Sequence, residues 1–208
     1  MVRQQGGTAV VTLNCPSGNA LDRVALAALS RAVRQFAEAP PEGGIVITGQ
    51  GAAFCTGLSA PSVATLAEGD HESLTRIVAR LVDDIQKLET AVVAAVNGPV
   101  FGFGLILSLA ADVRLFADQP EASFGLRDAA GEVVFPELTL SLLERELGPI
   151  AVRRLTLKEA PFPFAEALNL GLAESSVAPD KLLPAAIERA QALVAQPGFL
   201  ALKSLLKG

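Results

Sequence analysis

The chain has one histidine, two cysteines, one methionine, and neither tryptophan nor tyrosine. Each shortage removes a class of chemistry. A single His71 cannot build a multi-histidine metal site. Cys15 and Cys55 lie far apart in the sequence and offer neither a disulfide framework nor a zinc-binding spacing. The pI near 5.0 and the formal net charge of −5 fit poorly with a base-stacking nucleic-acid surface. No metal and no nucleic-acid partner is therefore expected. Residues 1–7 are polar and lack the apolar segment of a secretory signal. One uncharged run, 90–111, covers 22 positions, which is enough to span a bilayer. Asn97, Gly98 and Pro99 break it midway, and Gly102 and Gly104 follow. It reads as two short buried elements joined by a turn, so a cytoplasmic protein with no membrane partner is expected.

What is present is apolar. Half of the 208 residues are hydrophobic and 19% are charged, which argues against disorder. A chain of this length buries roughly 70% of its unfolded surface and needs no covalent staples. The run 9–13 reads as a strand, and a loop follows through Asn14, Pro16, Gly18 and Asn19. Apolar residues at 21, 25, 28, 29, 32, 33 and 36 have helical spacing, and so do those at 74, 77, 78, 81, 82, 85 and 88. Short buried strands are expected at 44–48, 91–96, 113–117 and 122–125, with an apolar helix at 103–111. From Glu137 onward the pattern is mostly helical. Strands alternating with helices imply an α/β core.

Two segments echo each other: GIVITGQGAAFCTG at 44–57 and AVVAAVNGPVFGFG at 91–104. Each runs from a buried strand into a glycine-containing turn. In the second, three glycines fall between 98 and 104, after a strand and before a helix. The third glycine of a dinucleotide loop is missing, and no GK[ST] makes a phosphate loop. What remains is a backbone able to approach a ligand closely, or simply tight strand–helix packing. A helix N-terminus carries free N–H donors and about half a positive charge, suited to a developing oxyanion.

These segments resemble the crotonase (enoyl-CoA hydratase/isomerase) superfamily. The resemblance rests on 45–59 (IVITGQGAAFCTGLS), 91–118, 122–126 (ASFGL) and 166–186, and on LNCPSGNAL at 13–21. It implies an α/β, crotonase-like spiral of ββα repeats in a single domain over 1–208. The spiral core would cover 1–136 and a helical C-terminal region 137–208. It also implies a homotrimer or hexamer, and an acyl-CoA or other phosphopantetheine thioester as partner. Coenzyme A would enter only as part of the substrate, with no separate cofactor. The family holds the thioester oxygen on two backbone N–H groups. Carried onto this chain these fall at Leu58, after Gly57, and at Phe103, between Gly102 and Gly104. One such donor is worth about 3–4 kcal/mol to an enolate. Thr56, Gly57, Gly102, Gly104 and Ile106 would border the substrate.

The departures from the family pattern limit the chemistry. Hydratases of this family use two glutamates, because water addition divides the acid and base roles. The first position, two residues past Gly104, holds Ile106, which can neither take nor give a proton. The second falls on Asp128 when counted from Phe124 and on Arg127 when counted back from Gly131. Asp128 is favoured, against an ordinary reading as a solvated turn acid. Glu132 and Glu137 are neighbouring acids, and Glu137 also reads as charge at a helix N-terminus. The pattern GLRD at 125–128 is similar to enoyl-CoA isomerases, in which one carboxylate moves a proton. A non-catalytic thioester-binding module is the competing expectation. The stretch 141–172 also looks similar to enzymes of polyketide β-branching, which dehydrate or decarboxylate carrier-bound acyl groups. By analogy Asp22, Arg23 and Lys203 would approach the CoA phosphates, although such charges are usually solvated. Cys55 reads as a small buried hydrophobe, Asp112 as a structural acid, and His71 as an exposed loop residue.

Overall fold

The computed structural model describes residues 1–60, 68–126, 136–157 and 161–207. Among these residues the larger sheet has the order β1-β2-β3-β4-β6-β9. Its strands are β1 Val2–Gln5, β2 Thr8–Leu13, β3 Ile45–Gly49, β4 Val92–Val96, β6 Val113–Ala117 and β9 Ser175–Val177. All pairs in it are parallel except β1 with β2. A smaller sheet joins β5 Val100–Phe101, β7 Ser123–Gly125 and β8 Phe162–Pro163. The helices are α1 Arg23–Glu38, α2 Glu68–Gln86, α3 Phe103–Ala110, α4 Pro136–Leu157, α5 Ala165–Asn169, α6 Leu182–Ala195 and α7 Phe199–Lys207.

The central strands are covered on both faces, which is why they read as unbroken apolar runs. Val11, Ile45, Ile47, Val92 and Val96 enter one core with Leu29 and Phe36 of α1 and Leu81 and Ile85 of α2. Their neighbours Val10, Val46, Val93 and Leu115 enter another, with Ala186, Ala190 and Leu193 of α6. The uncharged run 90–111 becomes β4, β5 and α3. Among the described residues no helix is long and apolar enough to cross a membrane. Both helices expected from apolar spacing are present as α1 and α2.

Three local expectations change. The polar N-terminus holds β1, an exposed edge strand with no apolar pattern to announce it. Gly6 and Gly7 both have positive φ (58° and 83°), as a two-residue hairpin turn requires. α2 includes residue 71, so His71 is helical rather than in a loop. The C-terminal region contains two short strands, each adding an edge: β8 beside β7 and β9 beside β6. α4 is broken at Gly148, whose φ is 74°, just before Pro149.

The echoing segments lie side by side. β3 pairs with β4 as Ile45↔Val92, an offset of 92 − 45 = 47. Beyond the strands, Cys55 bridges Val100, an offset of 100 − 55 = 45. The first turn is therefore two residues longer, and the excess loops out at 49–54.

Candidate active site

The first turn is held mainly by contacts from elsewhere in the chain. Two carboxamides grip its loop. Asn19 Nδ2 donates to the carbonyl oxygens of Gln50 (3.0 Å) and Ala53 (2.8 Å). Asn97 Oδ1 accepts from the Gly49 N–H (2.9 Å), while its Nδ2 donates to the carbonyls of Gly51 (2.9 Å) and Ala53 (3.4 Å). The Thr56 N–H donates to Gly18 O (3.0 Å) and its hydroxyl to Ser17 O (2.8 Å), so Thr56 is tied to the Pro16–Asn19 turn. Next, Leu21 bridges Leu58 in parallel. The Leu21 N–H donates to Gly57 O and the Ser59 N–H donates to Leu21 O, both at 2.9 Å. A parallel bridge uses the residues on either side of Leu58, which turns Leu58's own N–H away from Leu21. That N–H donates to no described acceptor.

The second turn is organised by its own helix. The Gly102 N–H donates to Gly125 O (3.1 Å). At φ 50°, ψ −122°, Gly102 occupies backbone space that a side chain would exclude. α3 starts at the next residue. The Leu105 and Ile106 N–H groups fold back onto Gly102 O at 3.1 and 3.3 Å. The Phe103 N–H, one of the initial helix donors, has no described acceptor. A side chain at Gly104 would collide with the carbonyl oxygen of Cys55, so α3 rests its first turn on the backbone of the other turn.

The two turns are thus fastened together. The Phe54 N–H donates to Pro99 O (3.2 Å) and the Phe101 N–H to Cys55 O (3.0 Å). Leu58 and Phe103 each lie three residues beyond the bridged pair Cys55↔Val100. Gly57 (φ 108°) precedes Leu58, which is 7% exposed, while Phe103 is wholly buried. Ile106 is 1% exposed, two residues past Gly104 in α3, and part of the main core. Asp128, Arg127 and Glu132 lie outside the described residues. Glu137 is exposed in the first turn of α4, as a helix-terminal acid would be.

The remaining candidates separate by burial. Cys55 is fully buried, and desolvation pushes its thiol pKa up to about 12, so it stays a neutral thiol. Asp112 is a structural acid: its Oδ2 accepts from the Val92 N–H (2.8 Å). The same oxygen binds Lys203 Nζ at 2.8 Å, and Lys203 also donates to Thr90 O (2.8 Å). Lys203 is therefore neither solvated nor placed to meet a phosphate, because its side chain is 5% exposed inside an ion pair. Asp22 caps α1 by accepting from the Ala25 N–H (2.7 Å). It also borders a cleft of about 460 Å³, with Leu13, Cys15, Leu21 and Leu29. Among the described residues no cluster of three His, Cys, Asp or Glu side chains could hold a metal ion. The sequence marks Asn19 and Asn97 only as turn residues. Their grip on loop 49–54 leaves no local trace beyond an asparagine beside a glycine in each.

This chain is similar to known proteins along nearly its full length. The family model described as enoyl-CoA hydratase/isomerase matches residues 3–207. A probable enoyl-CoA hydratase, EchA17 of Mycobacterium bovis, is 29% identical over 183 residues, covering 88% of this chain and 69% of the relative. The solved structure of PA4980 from Pseudomonas aeruginosa superposes with a TM-score of 0.87 at 29% identity, covering 100% of this chain and 90% of that one. A monofunctional enoyl-CoA isomerase from M. smegmatis superposes at 0.79 and 29% identity, covering 100% and 93%. The crotonase-like α/β fold expected from the sequence is borne out by these superpositions.

Proposed function

The chain belongs to the enoyl-CoA hydratase/isomerase family, and from that premise we propose that it is an acyl-CoA enzyme that moves a proton rather than adding water. The Leu58 and Phe103 N–H groups hold the thioester oxygen as the enolate develops. Asp128 removes a proton from the α-carbon and returns it at the γ-carbon. Coenzyme A enters with the substrate. The observation that carries this reading is a pair of backbone donors on two fastened turns that meet no acceptor among the described residues, with an aliphatic Ile106 where a hydratase keeps a carboxylate. Ile106 can neither activate water nor deliver a proton, so one acid must serve both ends of the transfer.

The test is incubation with a 3-enoyl-CoA in deuterated water. The expected product is the 2-enoyl-CoA, formed at least about 100-fold more slowly by Asp128→Asn. Hydration of a 2-enoyl-CoA at a rate matching isomerisation would overturn the reading. The same Ile106 favours one alternative, a module that binds acyl thioesters without acting on them. In that case the acyl-CoA binds while no deuterium enters its α-position.

As part of the same proposal the protein works in the cytoplasm as a homotrimer or hexamer. Its two thiols are free, which suits a reducing compartment. Leu202, Leu205 and Leu206 of α7 are exposed, which suits an apolar contact between copies. Sedimentation at the mass of a single chain would contradict the assembly.

A further inference from the structure

We infer that Asn97 is a positioning residue that sets the Leu58 and Phe103 donors against each other; this rests on the oxyanion reading above. Asn97 immediately follows β4, and its main chain leads through Gly98 to Gly102 into α3. Its side chain reaches sideways into the other turn. Oδ1 accepts from the Gly49 N–H at 2.9 Å and from the Thr48 hydroxyl at 3.3 Å. Nδ2 donates to Gly51 O at 2.9 Å and to Ala53 O at 3.4 Å. One side chain therefore holds both ends of the loop that separates β3 from Cys55, while its own backbone opens the segment that ends at Phe103. Asn19 also grips Ala53 O, but it belongs to neither turn.

Register is what this contact protects. The echoing segments pair at an offset of 47 in their strands and 45 at Cys55↔Val100, so loop 49–54 must absorb two residues in one fixed way. Slipping the pairing by a single residue moves a strand by about 3.3 Å. Donors to an oxyanion must lie within about 2.7–3.1 Å of it, so a slip of that size removes one of the two. The side chain must both donate and accept here, which a carboxamide does and a carboxylate cannot. Asn97→Asp keeps the acceptor for Gly49 and Thr48 but turns lone pairs toward the Gly51 and Ala53 carbonyls.

The test reads the donors directly. Crotonyl-CoA labelled with carbon-13 at the thioester carbonyl is bound to the protein, and the carbonyl stretch is measured by infrared difference spectroscopy. In the parent protein the band falls below that of free crotonyl-CoA. In Asn97→Asp at least about half of that lowering is lost, because the two N–H groups no longer converge on one oxygen. Thr8→Ala is the structural control. It removes a buried hydrogen bond to Gly43 O (2.9 Å), far from the turns, and leaves the band where the parent has it. Asn97→Ala, which adds no charge, is read in the same way if Asn97→Asp does not fold.

The outcomes separate the two readings. If the parent binds no crotonyl-CoA, or binds it without lowering the band, the oxyanion reading fails and this inference falls with it. If the parent lowers the band and a folded Asn97 variant lowers it equally, the donors stand and Asn97 does not position them. Equal loss in Thr8→Ala, or failure of both Asn97 variants to fold while Thr8→Ala folds, reduces Asn97 to a structural role and overturns the inference.

Discussion

The two turns present the same backbone group by opposite means. The second is local: Gly102 precedes α3, the Phe103 N–H is one of that helix's initial donors and meets no described acceptor, and all eight of the helix's residues are buried. The first is distant: loop 49–54 is held by Asn19 and Asn97, and Leu58 is aligned by Leu21. A helix delivers a donor by its own geometry and then needs only to be fixed in place. An irregular loop must be told where to stand at several points. Substitutions should therefore act differently on the two. Damage to the second turn should be severe and global, and damage to the first should be graded.

The largest expected effect is at the far end of α3. Lys203 reaches from α7 to Asp112, which follows that helix, and the pair is almost fully buried. Lys203→Met leaves the Asp112 carboxylate buried without its cation. Removing one partner of a buried pair costs about 3–5 kcal/mol, measurable by urea unfolding. A loss below about 1 kcal/mol would mean that α3 is fixed by apolar packing alone. Gly104→Ala comes next. Its new methyl meets the Cys55 carbonyl oxygen, and Cys55 Cβ at 2.8 Å, so backbone must move. Overpacking of this kind costs about 1–3 kcal/mol or more. An unchanged thermal midpoint would show that the turns do not rest on each other.

How much of this was legible in the sequence follows the same divide. β2, β3, β4 and β6 were readable because burial on both faces leaves uninterrupted apolar runs, and α1 and α2 because one face repeats at helical spacing. β1 was not, since all four of its residues are exposed. The glycines at 57, 102 and 104 announced turns that bring backbone close to something, and the resemblance named Leu58 and Phe103. Asn97's task stayed hidden because its partners Gly49 and Ala53 are 48 and 44 positions away. Lys203 was misread as a solvated charge for the same reason, with Asp112 91 positions off. A lone polar residue in sequence carries no sign of whether it will meet water or a distant carbonyl.

A smaller effect tests how closed the first turn is. Burial raises the Cys55 pKa from its ordinary 9.0 to about 12, so the thiol ionises more readily in the unfolded chain than in the fold. The sign follows from linkage. The contribution is whole below pH 9 and is lost as pH rises from there toward 12, at about 1.4 kcal/mol per pH unit. Stability measured at pH 8 and pH 10 should fall less in Cys55→Ala than in the parent chain. An equal fall in both would mean that water reaches Cys55 and that the first turn opens.

The smallest effect pairs with Gly104→Ala and completes the contrast. Gly51 stands at the tip of the loop with φ +76°, and a methyl there meets nothing within 4 Å. Only backbone conformation is at stake. A left-handed alanine costs roughly 1–2 kcal/mol, part of which is offset by the unfolded chain's lost freedom. Gly51→Ala should thus lower stability by about 1 kcal/mol and leave the Cys55↔Val100 bridge in place. Its Gly51 carbonyl still receives the Asn97 amide, so the loop strains without letting go. A loss as large as that of Gly104→Ala would erase the difference between the turns. The loop tip would then have to be packed as tightly as the helix start, which its open surroundings argue against.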